Sequence, residues 1–181
     1  MSCVFKSSNS FRAYRNLLQF QTILGYRPNS HQFSQTIFLP SRFSNLINKI
    51  RESYPINDIT PKELHSLLNP ESPSKKNPII IDVREKDEQE RGIIPTAIPL
   101  PRGILERDVE RKVVSVDEIN SAENGRNLVV YCAGGMRSIM AAESLIRLGY
   151  KKENVKNLKG GYEDWKEGGF EVEDYEAKKR G

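Results

Sequence analysis

The sequence predicts an α/β fold built on a parallel sheet. Three observations carry that prediction. The runs Pro78-Ile79-Ile80-Ile81-Asp82-Val83 and Asn127-Leu128-Val129-Val130-Tyr131 are almost continuously apolar, as strands buried on both faces are. Helical patterns lie between and after such runs, the arrangement of crossover connections. Helix start and stop signals bracket those patterns.

The elements follow in order. Ile56–Thr60 reads as a short strand. Thr60-Pro61-Lys62-Glu63 reads as a helix start, with Thr60 as N-cap, Pro61 at the first helical position and Glu63 closing a capping box. That helix runs through Leu64, Leu67 and Leu68 and stops before Pro70. Residues 69–77 form a polar loop. After the strand at Ile79–Val83, Glu85–Arg91 is a charged helical turn whose charges read as a solvated face. Ile93–Leu100, with prolines at 95 and 99, can form only a short or edge strand. Arg102–Asn124 carries weak helical signals. Beyond the Leu128–Tyr131 strand, Cys132–Arg137 is a glycine-containing loop. Ser138–Leu148 is helical, with Ile139, Ala142, Leu145 and Ile146 on one face and Gly149 at the C′ position. Val155–Leu158 is a last strand. Gly160–Phe170 carries a closing helix with Trp165 as core. The tail 174–181 is charged.

Charge is distributed unevenly. The 181-residue chain has a formal net charge of +4. Residues 1–51 hold seven basic residues and no Asp or Glu, whereas the remainder holds all 24 acidic residues beside 21 basic ones. The body is therefore slightly acidic, and the high pI gives no support to a nucleic-acid partner. A basic, acid-free, Ser-rich leader over 1–51 fits an organellar transit peptide, with Phe11–Leu24 as its amphipathic segment. A mitochondrial destination, in the matrix, is expected, and cleavage within roughly residues 40–52. The body then spans 53–173. No apolar run is long enough to span a bilayer, so no membrane partner is expected.

The chemistry centres on Cys132. It stands at the carboxyl end of a buried strand, where open parallel sheets bind their ligands. Gly134 and Gly135 let the backbone curl so that several N–H groups converge on one point beside a helix N-terminus, a setting that favours an anion. A thiolate there is activated, and Arg137 adds a positive charge. The competing reading is an inert core cysteine; the following Gly-Gly and Arg weigh against it. Outside the leader the chain has one histidine, His65, which reads as a helix-surface residue. A Cys–His protease mechanism therefore lacks its base. Outside the leader there is also no second cysteine, so whatever Cys132 takes up must pass to an external acceptor. Gly160-Gly161 reads as a tight turn, since no nucleotide motif surrounds it.

Four ordered segments over about Ile56–Val172 resemble the single-domain rhodanese-like sulfurtransferases. Ile81-Asp82-Val83-Arg84-Glu85 is similar to the family's Asp-Val-Arg-Glu box. Gly92–Pro101 is similar to its Gly-His-Ile-Pro-Gly-Ala segment, with Ile93 and Thr96 replacing the usual His and second Gly. Cys132-Ala133-Gly134-Gly135-Met136-Arg137-Ser138 matches the active-site loop Cys-x-x-Gly-x-Arg-Ser. Gly160-Gly161 with Trp165 matches the closing element. The resemblance implies a rhodanese-like fold, a five-stranded parallel sheet flanked by helices. It implies a sulfurtransferase in which Cys132 carries sulfane sulfur as a persulfide. The N–H groups of Ala133, Gly134, Gly135, Met136, Arg137 and Ser138 would cradle it, Arg137 would close the loop, and Asp82 and Arg84 would support it. Thiosulfate, or glutathione persulfide, would be the donor; glutathione, cyanide or an acceptor protein thiol would be the acceptor. No metal and no cofactor is implied. Gly134 stands where some thiosulfate-specific members carry a basic residue, which places a persulfide donor level with thiosulfate. Two other functions compete. Phosphatases and arsenate reductases of the related type have one more residue between Cys and Arg than the four here. Non-catalytic binding modules usually lack the Cys.

Overall fold

A computed structural model of the chain describes residues 41–69, 77–121 and 126–175. The targeting segment Phe11–Leu24, most of the 69–77 loop and the end of the charged tail lie outside the described residues.

Five parallel strands form one sheet: β1 (Asn57–Ile59), β2 (Ile79–Asp82), β3 (Ile98–Pro99), β4 (Leu128–Tyr131) and β5 (Val155–Leu158). Their spatial order is β1-β5-β4-β2-β3. In register, β4 aligns Val130 with Ile81 of β2 and with Asn157 of β5. The central strands read as continuous apolar runs because both faces are covered. Ile79, Ile81, Leu128 and Val130 point to one layer, with α1 (Arg42–Ser53), α4 (Leu105–Lys112), α5 (Val116–Asn120) and α6 (Met136–Arg147). Ile80, Val129 and Tyr131 point to the other, with Leu64 of α2 (Pro61–Leu68) and Trp165 of α7 (Gly161–Glu167). Alternate side chains serve alternate layers, as the strand period of two requires.

Local signals in the sequence operate as read. The Thr60 hydroxyl accepts from the Glu63 N–H at 3.3 Å, while the Glu63 carboxylate accepts from the Thr60 N–H at 2.8 Å. Pro61 occupies the first turn. β3 is a two-residue edge strand, consistent with Pro99 having no N–H to donate. Trp165 is fully buried and its indole N–H donates to the Glu171 carbonyl at 2.8 Å. The Ile93–Glu173 antiparallel bridge ties the C-terminal segment to the loop before β3. The weak helical segment after Pro101 resolves into a 3₁₀ turn, α4 and α5. Its signal is thin because few positions, chiefly Leu105, Val109 and Ile119, face the core.

Three expectations differ from the structure. Composition places 42–51 in the leader, yet these residues lie in α1, whose Ile47 and Ile50 are buried in the same core as the sheet. Spacing of i and i+3 gives that helix an apolar face, which the absence of acidic residues conceals. The body therefore starts before Ser53. The helix after the cysteine loop starts at Met136, two residues early, because Gly135 serves as its N-cap. Glu85–Arg91 is not only a solvated face: its helix α3 (Lys86–Gln89) buries Gln89 and commits Glu88 to an ion pair. Among the described residues, no helix is long and apolar enough to cross a membrane.

Candidate active site

Cys132 follows the last residue of β4 and is buried. Gly135 turns the chain with φ of +84°, a left-handed conformation that side-chain-bearing residues rarely adopt. The turn brings the Gly135 N–H onto Sγ at 3.2 Å. Met136, Arg137 and Ser138 form the first turn of α6, where N–H groups lack intrahelical acceptors.

The start of α7 closes the loop from the other side. The N–H groups of Tyr162 and Glu163 donate to the carbonyls of Cys132 and Ala133 at 2.8 and 3.0 Å. In trans peptides the opposing N–H groups, those of Ala133 and Gly134, then point away from α7. Two successive N–H groups directed to one side are what an anion-binding nest requires. The close approach requires Gly161: a Cβ there would overlap both loop carbonyls.

Ser138 is buried beside the sulfur. Its Oγ lies 3.5 Å from Sγ, 3.0 Å from the Gly135 carbonyl and 2.6 Å from Asn157 Oδ1. Asn157 in turn donates to Asp58 at 2.7 Å. Arg137 reaches toward the sulfur but spends its guanidinium on Glu88, with two bonds of 2.7 and 2.6 Å. That pairing, with help from the Glu85 backbone, pulls the Glu88 carboxyl down to about 2. The same pairing pushes Arg137 further up, its proximity to Cys132 adding to it.

Asp82 and Arg84 touch the segment behind Glu88 rather than the sulfur. Arg84 binds both Asp82 carboxylate oxygens at 3.0 and 2.7 Å. It also donates to the carbonyls of Gly92 and Glu88 at 2.7 and 3.1 Å. The guanidinium lies 3.9 Å above the Tyr162 ring. Tyr131 donates to Asp82 at 2.8 Å; burial, reinforced by the Asp82 charge, pushes its phenol well up and keeps the proton in place. This buried cluster fixes α3, and α3 fixes Arg137.

The structure thus brings together Cys132, the loop glycines, Arg137 and Ser138 as the sequence suggests. His65 is exposed and stacks on Phe170 with 4.8 Å between centroids. Glu88, Asn157, Asp58 and the close approach of Gly161 are additions. Only the Gly-Gly pair carried a sequence signal, and it signalled a turn. Among the described residues there is no cluster of His, Cys, Asp and Glu suited to a metal.

Comparison with known proteins places this geometry. The family model of the rhodanese-like domain matches residues 60–168. The chain belongs to the rhodanese-like domain family. A Schizosaccharomyces pombe protein provisionally named a mitochondrial thiosulfate sulfurtransferase is 38% identical over 96 residues, covering 50% of this chain and 64% of that one. The match thus spans less than two thirds of that relative. A human protein named thiosulfate:glutathione sulfurtransferase is 30% identical over 92 residues, covering 49% of this chain and 78% of that one. Among solved structures, a Rhodopseudomonas palustris protein of unknown function, described as a candidate tyrosine phosphatase, superposes with a TM-score of 0.56 at 24% identity. The match covers 82% of this chain and all of that one. That likeness is one of fold. Rhodanese-like domains with sulfurtransferase-named relatives are the setting in which Cys132 must be read.

Proposed function

We propose that this rhodanese-like domain transfers sulfane sulfur through a persulfide on Cys132. The observation that carries the proposal is the seat of Sγ: at the end of β4, under the Gly135 N–H, in a loop of four residues before Arg137. The Cys132 thiolate attacks the outer sulfur of the donor. The donor's S–S bond breaks, and its electron pair leaves with sulfite or with a thiolate. An acceptor thiolate or cyanide then attacks the terminal sulfur, and the pair of the S–S bond returns to Cys132. No general base is needed once the thiolate has formed, which fits the absence of a nearby histidine among the described residues.

The surroundings favour a persulfide donor over dianionic thiosulfate. Arg137 is already neutralised by Glu88, Gly134 has no side chain, and the Glu163 carboxylate lies 3.4 Å from where a Gly134 Cβ would stand. Thiol acceptors such as glutathione suit the exposed rim at Gly134 and Met136. Asp82 and Arg84 act at a distance, holding α3 and thereby Glu88 and Arg137. The domain works in the mitochondrial matrix; the basic, acid-free leader and the mitochondrial naming of the fission-yeast relative support this. A reporter fused to residues 1–51 should enter mitochondria, and cytosolic retention would remove that part of the proposal.

The test is mass spectrometry of the full chain after exposure to thiosulfate or glutathione persulfide. One added sulfur, about 32 Da, is expected on Cys132, and Cys132→Ser should abolish both adduct and turnover. No adduct with any sulfane donor, together with phosphatase turnover, would instead favour the Cys-loop phosphatase reading.

A further inference from the structure

A cavity of about 300 Å³ opens on the α2–α7 side of the sheet, between the end of α2, the turn before β3 and the segment that follows α7. That volume is enough for a small ligand. None of the residues lining it belongs to the Cys132 loop. Leu68, Pro95 and the fully buried Trp165 give it apolar walls, and His65 lines it while stacked on Phe170. No Lys or Arg is in the lining, so it carries no fixed positive charge. Two of its polar side chains have no partner among the described residues. One is the Glu171 carboxylate; it is the Glu171 backbone carbonyl that accepts from the Trp165 indole. The other is the Thr96 hydroxyl; it is the Thr96 backbone N–H that donates to Glu173.

Thr96 also holds an unfavourable backbone. The Ala97 N–H reaches the Ile94 carbonyl at 3.0 Å, closing a turn with Pro95 second and Thr96 third. The third position of a type II turn needs a positive φ, and Thr96 has +66°. Among the described residues it is the one non-glycine with a positive φ. A β-branched side chain makes it an outlier, where glycine would sit without strain. Such strain persists where the surroundings over-determine it, and it gathers at functional positions. Here Glu173 fixes the turn: it bridges Ile93 in both directions at 2.9 and 2.8 Å and accepts from the Thr96 N–H at 3.3 Å. The fold thus keeps a strained threonine on a cavity wall, although its hydroxyl bonds to nothing among the described residues.

We propose that this cavity binds an organic cation on a short aliphatic stem, an alkylguanidinium or alkylammonium. The Glu171 carboxylate, which only accepts, takes the charged N–H groups, and the Thr96 hydroxyl oxygen accepts another. Leu68, Pro95 and Trp165 cover the stem, as apolar surface does for the methylenes of basic side chains. A guanidinium suits the lining best, because its donors spread over a plane and serve two separate acceptors at once. One carboxylate and one imidazole leave the lining short of a metal site. Free small molecules and the basic side chains of peptides share this chemistry.

The test is a titration of the full chain with n-butylguanidinium, read on the indole N–H resonance of Trp165, the chain's only tryptophan. A saturable shift is expected. The neutral isostere n-butylurea should bind at least about tenfold more weakly, and Glu171→Gln should weaken the cation by about tenfold. Thr96→Gly should weaken it about three- to tenfold, the loss of one hydrogen bond, while Tm holds or rises as strain is relieved. A blocked Gly-Arg-Gly peptide that binds more tightly than n-butylguanidinium points to a peptide source, and one that binds more weakly to a free cation. No saturable shift with the guanidinium overturns the proposal. So does equal binding of the urea, or a Glu171→Gln protein that binds as the parent does. Cys132→Ser should bind the cation unchanged, so failure here and failure of sulfur transfer are separate results.

Discussion

Glu88 and Arg137 meet in a two-point ion pair, each guanidinium nitrogen on its own carboxylate oxygen at 2.7 and 2.6 Å, although 49 positions separate them in the chain. The pair joins α3 to the first turn of α6 and so braces the Cys132 loop from the β2 side. Arg84 holds the α3 end of that brace through the Glu88 and Gly92 carbonyls. The buried Asp82–Arg84 cluster therefore reaches the Cys132 loop through this contact, as well as through Tyr131 and Tyr162.

Glu88→Gln should destabilise the protein by about 1 kcal/mol at neutral pH, the range for a partly exposed pair. The pH dependence has a definite sign. The folded-state value of Glu88, about 2, lies below its ordinary 4.5. Its stabilising contribution is present above about pH 4.5 and is lost as pH falls toward about 2. Urea unfolding of the two proteins between pH 7 and pH 3 should show their difference shrinking through the acid limb.

Charge at the loop mouth should set donor preference. Glu163→Lys replaces a carboxylate beside Gly134 with an ammonium. The kcat/KM for thiosulfate, relative to glutathione persulfide, should rise about three- to tenfold at low salt. Screening should erase most of the gain at high ionic strength. An unchanged donor ratio would show that the mouth does not read donor charge.

Gly161→Ala should damage the site without touching its chemistry. The residue has φ of +62°, and a Cβ would overlap the carbonyls of Cys132 and Ala133. About 1–3 kcal/mol of strain is expected, together with a displaced loop. Sulfur loading of Cys132 should fall at least about tenfold, since small misplacements at a reacting centre are costly. Circular dichroism should show the fold retained.

Helix α1 should prove part of the folded body. Ile50→Ala removes a side chain buried in the main core cluster and should cost about 2–4 kcal/mol. A Tm equal to that of the parent would return α1 to the leader.

Local order was readable wherever a few neighbouring residues decide it. The Thr60 capping box, the Pro61 start, the glycine after α6 and the two buried strands follow from short-range sterics and hydrogen bonding. The start of α6 was misplaced by two residues because Gly135 serves both the loop and the cap. Helix α1 was hidden because composition averages over a segment, whereas burial depends on Ile47 and Ile50 alone.

From the sequence alone came the α/β class, the strand-end cysteine, the family resemblance and the placing of His65 on a helix surface. These rest on residue identity and spacing along the chain. Tertiary structure decided which charges cancel and which protons point where. It set Glu88 on Arg137, Asn157 on Ser138 and α7 against the loop carbonyls. Those contacts join residues from separate crossovers of the sheet, and no linear pattern encodes a distance between elements that only the closed sheet brings together.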